Sequence, residues 1–203
     1  MNPLFPAATE AQDHFRKHGW AFCLIGGITV MRWSGHRVTK DIDVALSAPY
    51  GGEMAVIEAI YARFPPRYDD SRELSFRNRV VQFDATNGIG IDIALGKSRR
   101  LLRVVARASE WEVEGHRLLT CSAEDLVINK ALAGRDKDWD DVEAVIAAQG
   151  AALDADLVMR EFTPVVRQGH HLTDPLGQLQ RGDHLESVAR LESLLGLTGT
   201  VDR

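Results

Sequence analysis

Cysteine is scarce in this chain: Cys23 and Cys121 are the two in 203 residues. Two lone thiols without ligand spacing build neither a disulfide framework nor a zinc site, so both read as reduced core residues of a cytoplasmic protein. Long apolar runs are missing, and no stretch approaches the length that spans a bilayer, so no membrane role is expected. The opening Met-Asn-Pro-Leu-Phe-Pro lacks the basic start and apolar stretch of a secretory signal. Positive net charge is missing too: 24 Lys and Arg against 29 Asp and Glu leave −5. That total argues against non-specific binding along nucleic-acid backbones. Repeats, low-complexity tracts and long linkers are also absent.

What remains is an ordinary globular composition, 45% hydrophobic and 26% charged. The length suits one compact domain, or a catalytic domain with a small helical appendage. One stretch is locally basic: Lys97, Arg99, Arg100, Arg103 and Arg107. It reads either as a solvated face or as an anion-contacting surface.

The pattern places a first helix from Thr9, with Gln12 as a capping-box partner, to Gly19. A buried strand over 21–25 follows, then a Gly26-Gly27 turn, a short helix over 28–33 and a strand over 42–46. The apolar residues Val56, Ile57, Ile60 and Phe64 mark an amphipathic helix over 53–64. Runs 80–85 and 89–95 surround Asn87-Gly88, which predicts a hairpin with a type I′ turn. A second hairpin over 111–121 turns at Gly115. From Ser122 the pattern is helical, with capping boxes at Ser122–Asp125 and Asp183–Glu186 and an apolar face at Leu185, Val188, Leu191 and Leu195. The fold class is therefore α+β: a mixed, twisted sheet flanked by helices, with a C-terminal helical extension. The division expected is residues 1–121 as the catalytic domain and 122–203 as a helical region packed on it.

The chemistry concentrates in Leu24–Leu46, LIGGITVMRWSGHRVTKDIDVAL. Residues two apart on a strand share a face, so Asp41 and Asp43 lie together while Ile42 and Val44 point into the core. Two adjacent carboxylates repel, and folding alone does not ask for them. A hard cation such as Mg²⁺ (or Mn²⁺) supplies the reason, since it bridges carboxylate oxygens to phosphates. A third carboxylate, Asp92, sits opposite Ile91, Ile93 and Leu95, between the small residues Gly90 and Ala94, which is expected to leave open space around it. An Asp-x-Asp pair by itself is also what a solvated edge strand looks like.

The Gly-Gly turn, short helix, Asp-x-Asp strand and later single Asp together resemble the nucleotidyltransferase superfamily, with its DNA polymerase beta-like fold. The resemblance implies that amides at Gly26 and Gly27 hold nucleotide phosphates at a helix N-terminus. It implies that Asp41 and Asp43 ligate metal ions, and that Asp92 completes the acceptor-side ion and helps deprotonate an acceptor hydroxyl. Gly27 stands where many members carry serine, and Thr29 is the candidate replacement hydroxyl, or else a helix-surface threonine. Arg37 is a candidate triphosphate contact. Lys40 and His36 carry no assigned role, and His170-His171 reads as a loop.

A second stretch, Glu124–Val142 (EDLVINKALAGRDKDWDDV), resembles the helical segment that follows the sheet in the abortive-infection toxin branch. There a helical lysine and a downstream aspartate border the nucleotide; Lys130 and Asp138 match, with Asp141 as the other aspartate. Each also has a plain reading, Lys130 facing solvent and Asp138 capping the next helix. Antibiotic adenylyltransferases share the Gly-Gly turn and Asp-x-Asp. Three functions therefore compete: an NTP-using enzyme that modifies an RNA end or a protein, as a toxin with an antitoxin partner; a small-molecule adenylyltransferase; and a non-enzymatic nucleotide-binding descendant. The basic stretch after Asp92 favours an RNA acceptor.

Overall fold

The computed structural model describes residues 2–35, 38–167 and 184–197. Arg37, His36, His170, His171 and Asp183, and with Asp183 the second capping box, lie outside them. The chain divides into two compact units. Of the described residues, the first holds those up to Arg32 and 38–122; the second holds 33–35 and those of 123–203.

The first unit is built on a six-stranded sheet in the order β3-β4-β2-β1-β6-β5. Its strands are β1 (Phe22–Ile25), β2 (Asp41–Ser47), β3 (Val80–Asp84), β4 (Gly90–Gly96), β5 (Ser109–Val113) and β6 (His116–Thr120). Pairing is mixed: β2 runs parallel to β4 and β1 parallel to β6, while β1–β2, β3–β4 and β5–β6 are antiparallel. Alternation along β2 and β4 sends one set of apolar side chains into the core. Ile42, Val44 and Leu46 of β2 and Ile91, Ile93 and Leu95 of β4 are fully buried. They join a core with Phe5, Ala8 and Phe15 of α1 (Leu4–Lys17) and Val56, Ile57 and Ile60 of α3 (Glu53–Arg63). Both cysteines are free and buried.

Helix α1 starts at Leu4, ahead of the expected Thr9. Pro6 falls in its first turn, where a missing N–H costs nothing. No capping box forms at Thr9: its hydroxyl donates to the Phe5 carbonyl, and Gln12 is buried and clamps β6 through the Leu119 N–H and the Arg117 carbonyl. Two further helices escaped the pattern, α4 (Ser71–Asn78) and α5 (Arg99–Ala106). Both are short and strongly charged, and each buries only one or two residues; α5 has an apolar stripe at Leu101, Val104 and Val105, but it lies among arginines.

The hairpin turns are exchanged relative to expectation. At Asn87-Gly88 only Gly88 has positive φ, +80°. Gly88 N–H donates to the Ala85 carbonyl and Ala85 N–H to the Ile89 carbonyl. This is a three-residue loop closed by a left-handed glycine, not a type I′ turn. The two-residue turn with both φ positive is Glu114-Gly115, at +47° and +83°.

The second unit is helical: α6 (Ala123–Ala133), α7 (Asp136–Gln149), α8 (Ala155–Arg167) and α9 (His184–Leu194). Helix α6 packs on both α7 and α8, and α8 on α9. No helix among the described residues is long and apolar enough to cross a membrane.

Candidate active site

The face of β2 and β4 opposite the core carries Asp41, Asp43, Ala45 and Ser47 beside Gly90, Asp92, Ala94 and Gly96. Parallel pairing sets Asp43 directly across from Asp92, and Asp41 across from Gly90. The three acids thus share one face at the N-terminal ends of neighbouring strands. At the other end of that face lies α5: a Cβ on Gly96 would meet Leu101 Cδ2 at 2.8 Å. Asp41 is exposed, while Asp43 and Asp92 are half-buried.

The glycine turn closes on these acids. Strand β1 pairs with β2 at Ile25↔Asp43, and the chain then turns at Gly26 with φ +68°. A Cβ on Gly26 would sit 1.9 Å from Asp43 Oδ2 and 2.8 Å from Asp43 Cβ. Only glycine meets both demands, the left-handed backbone and the close approach. Helix α2 (Gly27–Ser34) begins immediately after, with its first amides beside the acids. Gly27 abuts Thr39: a Cβ there would lie 2.6 Å from Thr39 Oγ1, which in turn donates to Asp41 Oδ1 at 2.8 Å.

Thr29 is fully buried and donates its hydroxyl to the Gly26 carbonyl at 2.7 Å. It is neither a helix-surface residue nor a spare hydroxyl; it braces the turn.

The open space expected around Asp92 is filled. Arg67, in the loop before α4, donates from Nη1 to Asp92 Oδ1 at 3.1 Å, from Nε to Asp84 Oδ1 at 2.8 Å and from Nη2 to the Phe83 carbonyl at 3.0 Å. Gln82 Nε2 donates to Asp92 Oδ2 at 3.0 Å. Gly90 is small because Arg67 passes over it: a Cβ would lie 2.4 Å from Arg67 Nη2. Gln82 is the register partner of Asp92, a pairing that follows from the three-residue loop and not from a two-residue turn at Asn87-Gly88, which would set Phe83 there. Nothing in the sequence pointed to Arg67 or Thr39.

An all-oxygen donor set of Asp41 and Asp43, backed by Asp92, has the chemistry of a Mg²⁺ or Mn²⁺ site. Among the described residues no group of three His, Cys, Asp or Glu side chains is gathered to hold an ion. Thr39 engages Asp41, and Arg67 with Gln82 draw Asp92 toward β3. That arrangement still fits a magnesium ion, which takes one or two carboxylates and completes its shell with water and substrate phosphates.

In the second unit, Lys130 is 8% exposed, so it does not face solvent. Its ammonium lies 3.0 Å from Asp138 Oδ1 and 2.8 Å from Asp141 Oδ2. Arg135, at the start of α7, donates to Asp138 as well. Burial works to raise the Asp138 pKa, but the hydrogen bonds and charges of Arg135 and Lys130 outweigh it and hold the carboxyl below its ordinary 3.8.

The basic stretch is placed differently from expectation. Asp92 is third in β4 rather than at its end, so Lys97 stands roughly 16 Å further along at about 3.3 Å per residue. Lys97 Nζ lies 4.9 Å from the Tyr50 ring centroid, and Arg99, Arg100 and Arg103 belong to α5, on the acid-bearing face.

Compared with known proteins, no family model and no curated sequence matches the chain. Solved structures do. A nucleotidyltransferase-like antigenic protein of Paracoccidioides brasiliensis superposes with TM-score 0.50 at 12% identity, over 85% of this chain and 91% of that one. ANT(2'')-Ia, solved in complex with adenylyl-2''-tobramycin, superposes with TM-score 0.50 at 10% identity, over 83% of this chain and all of the other. The chain therefore has a nucleotidyltransferase-like α+β fold with C-terminal helices, as the Gly-Gly and Asp-x-Asp pattern led us to expect.

Proposed function

We propose that the protein transfers a nucleoside monophosphate from an NTP to an acceptor hydroxyl with release of pyrophosphate. The observation that carries this reading is the register Asp43↔Asp92, with Asp41 on the same face and the Gly26 turn pressed against Asp43. A set of carboxylates on one face beside a helix N-terminus suits a metal–triphosphate substrate. Asp41 and Asp43 would hold Mg²⁺ (or Mn²⁺), which supplies charge neutralisation at the transferring phosphoryl group. Amides at Gly26 and Gly27 bind phosphate oxygens, and Arg37 contributes a triphosphate contact. Asp92 takes the proton of the acceptor hydroxyl as that oxygen bonds to the α-phosphorus and the bond to pyrophosphate breaks. The protein's own share is positioning and electrostatics.

The test is incubation of the full chain with each labelled NTP, Mg²⁺ or Mn²⁺ and a cell extract, with Asp43→Asn as control. Label appearing in an acceptor with wild type and not with Asp43→Asn supports the reading; equal labelling by both rejects the metal assignment.

For the acceptor, the α5 cations on the acid-bearing face favour an RNA end over a small molecule. Replacing Arg99, Arg100 and Arg103 with Ala should lower the salt slope of single-stranded RNA binding by about 2. Label on an aminoglycoside-like compound and never on RNA reverses the choice. A toxin role with an antitoxin partner rests on the resemblance of Glu124–Val142, in which Lys130 and Asp138 border the nucleotide. The ion cluster those residues form supports a structural duty instead, and we assign them that duty. Growth arrest on expression of wild type but not of Asp43→Asn would restore the toxin reading.

A further inference from the structure

The Arg67 guanidinium grips Asp92, and the grip is specific. The Arg67 guanidinium spends its Nε, Nη1 and Nη2 on Asp84, Asp92 and the Phe83 carbonyl, while Gln82 holds the other oxygen of Asp92. Both gripping residues are tied to the β3 side of β4, through the Pro66↔Phe83 bridge and the Gln82↔Asp92 register. Strand β2, with Asp43, lies on the opposite side. The carboxylate is thus held from one side and left to act toward the other. The backbone is adapted to the grip as well, since any side chain on Gly90 would strike Arg67 Nη2.

We propose that Arg67 is the positioning residue for Asp92, aiming its carboxylate at the acceptor oxygen while keeping it from collapsing onto the metal held by Asp41 and Asp43. This rests on the function proposed above. A planar guanidinium fork can hold three acceptors in fixed directions; an ammonium cannot. The grip also sets a cation beside the metal site, so it costs metal affinity and returns geometry.

The experiment uses the full chain as wild type, Arg67→Ala, Arg67→Lys and Gly90→Ala, with Mn²⁺ titration followed by electron paramagnetic resonance, melting temperature and transfer kinetics. Mn²⁺ binding that Asp43→Asn abolishes upholds the parent reading without any acceptor. Given that, Arg67→Ala should bind Mn²⁺ roughly fivefold more tightly, because a repelling charge is gone. It should transfer about a hundredfold more slowly, with KM for NTP within about twofold, because a misaimed group costs that much. Arg67→Lys should not restore the rate, free guanidinium ion should restore part of it, and Gly90→Ala should reproduce the defect with Arg67 still present. Weaker Mn²⁺ binding in Arg67→Ala overturns the proposal, as does a rate loss that only tracks the folded fraction. Loss of Mn²⁺ binding in wild type itself, or its persistence in Asp43→Asn, sinks the parent reading instead.

Discussion

Each unit of the molecule holds a cluster of charged side chains, and the two are built to opposite rules. In the helical unit, Lys130 and Arg135 face Asp138 and Asp141, so cations and carboxylates balance in a site almost closed to water. In the sheet unit, Asp41, Asp43 and Asp92 share one face, Arg67 pairs with Asp92, and Asp41 is open to solvent. A balanced, buried cluster accounts for itself through folding. Like charges gathered on a half-exposed face are an arrangement that a bound cation would favour.

The sharpest way to break the contrast is to remove one member from each side. Asp43→Asn should cut transfer by at least about a hundredfold, the scale of losing a transition-state charge contact, while melting temperature holds or rises. Lys130→Ala should do the reverse in kind. It leaves Asp138 and Asp141 buried without the ammonium between them, at a cost of about 3 kcal/mol in denaturant unfolding. If Lys130→Ala unfolds no more easily than wild type and instead loses NTP binding, the cluster belongs to the nucleotide and the contrast collapses.

Gly26→Ala sharpens the comparison within the sheet unit. The strained φ and the collision with Asp43 should together cost about 2 kcal/mol of stability, and the displaced carboxylate should lower activity with it. Gly88 has the same sign of φ, yet its added Cβ would meet nothing within 4 Å. Gly88→Val should therefore cost about 1–2 kcal/mol through the backbone alone, and kcat should fall only as far as the hairpin loosens. Equal losses of activity in both variants would show that the Gly26 turn has no special bearing on the site.

The smallest effect expected is on pH dependence. The Asp138 carboxyl is depressed in the folded state, so its contribution is full above the ordinary value of 3.8 and is lost as pH falls through the lower folded value. Acid unfolding of wild type should steepen below about pH 4, and Asp138→Asn should flatten that limb. The same slope in both proteins would mean that Asp138 titrates alike folded and unfolded.

The pattern of apolar and acidic residues determined a good deal by itself. Alternation around Ile42, Val44, Ile91 and Ile93 was enough to put Asp41 and Asp43 on one face and Asp92 opposite its own strand's buried residues, because side-chain direction on a strand has a period of two; that the two strands pair came only from the structure. It also led to the mixed sheet, the Gly-Gly turn and the helical C-terminal part. Turn chemistry was less legible, since Asn-Gly serves both two- and three-residue hairpins and only the pairing around Ala85 and Ile89 selects between them. The short charged helix α4 left no apolar stripe to read, and in α5 the stripe of Leu101, Val104 and Val105 was hidden among arginines. What only the tertiary structure decided is who holds each acid. Arg67 reaches Asp92 across 25 residues of chain, Thr39 wedges between Gly27 and Asp41, and Lys130 turns inward to two carboxylates. A long flexible side chain has no periodicity that reveals its partner. Its direction is set by where folding leaves an unbalanced charge, and that exists only once the strands have paired.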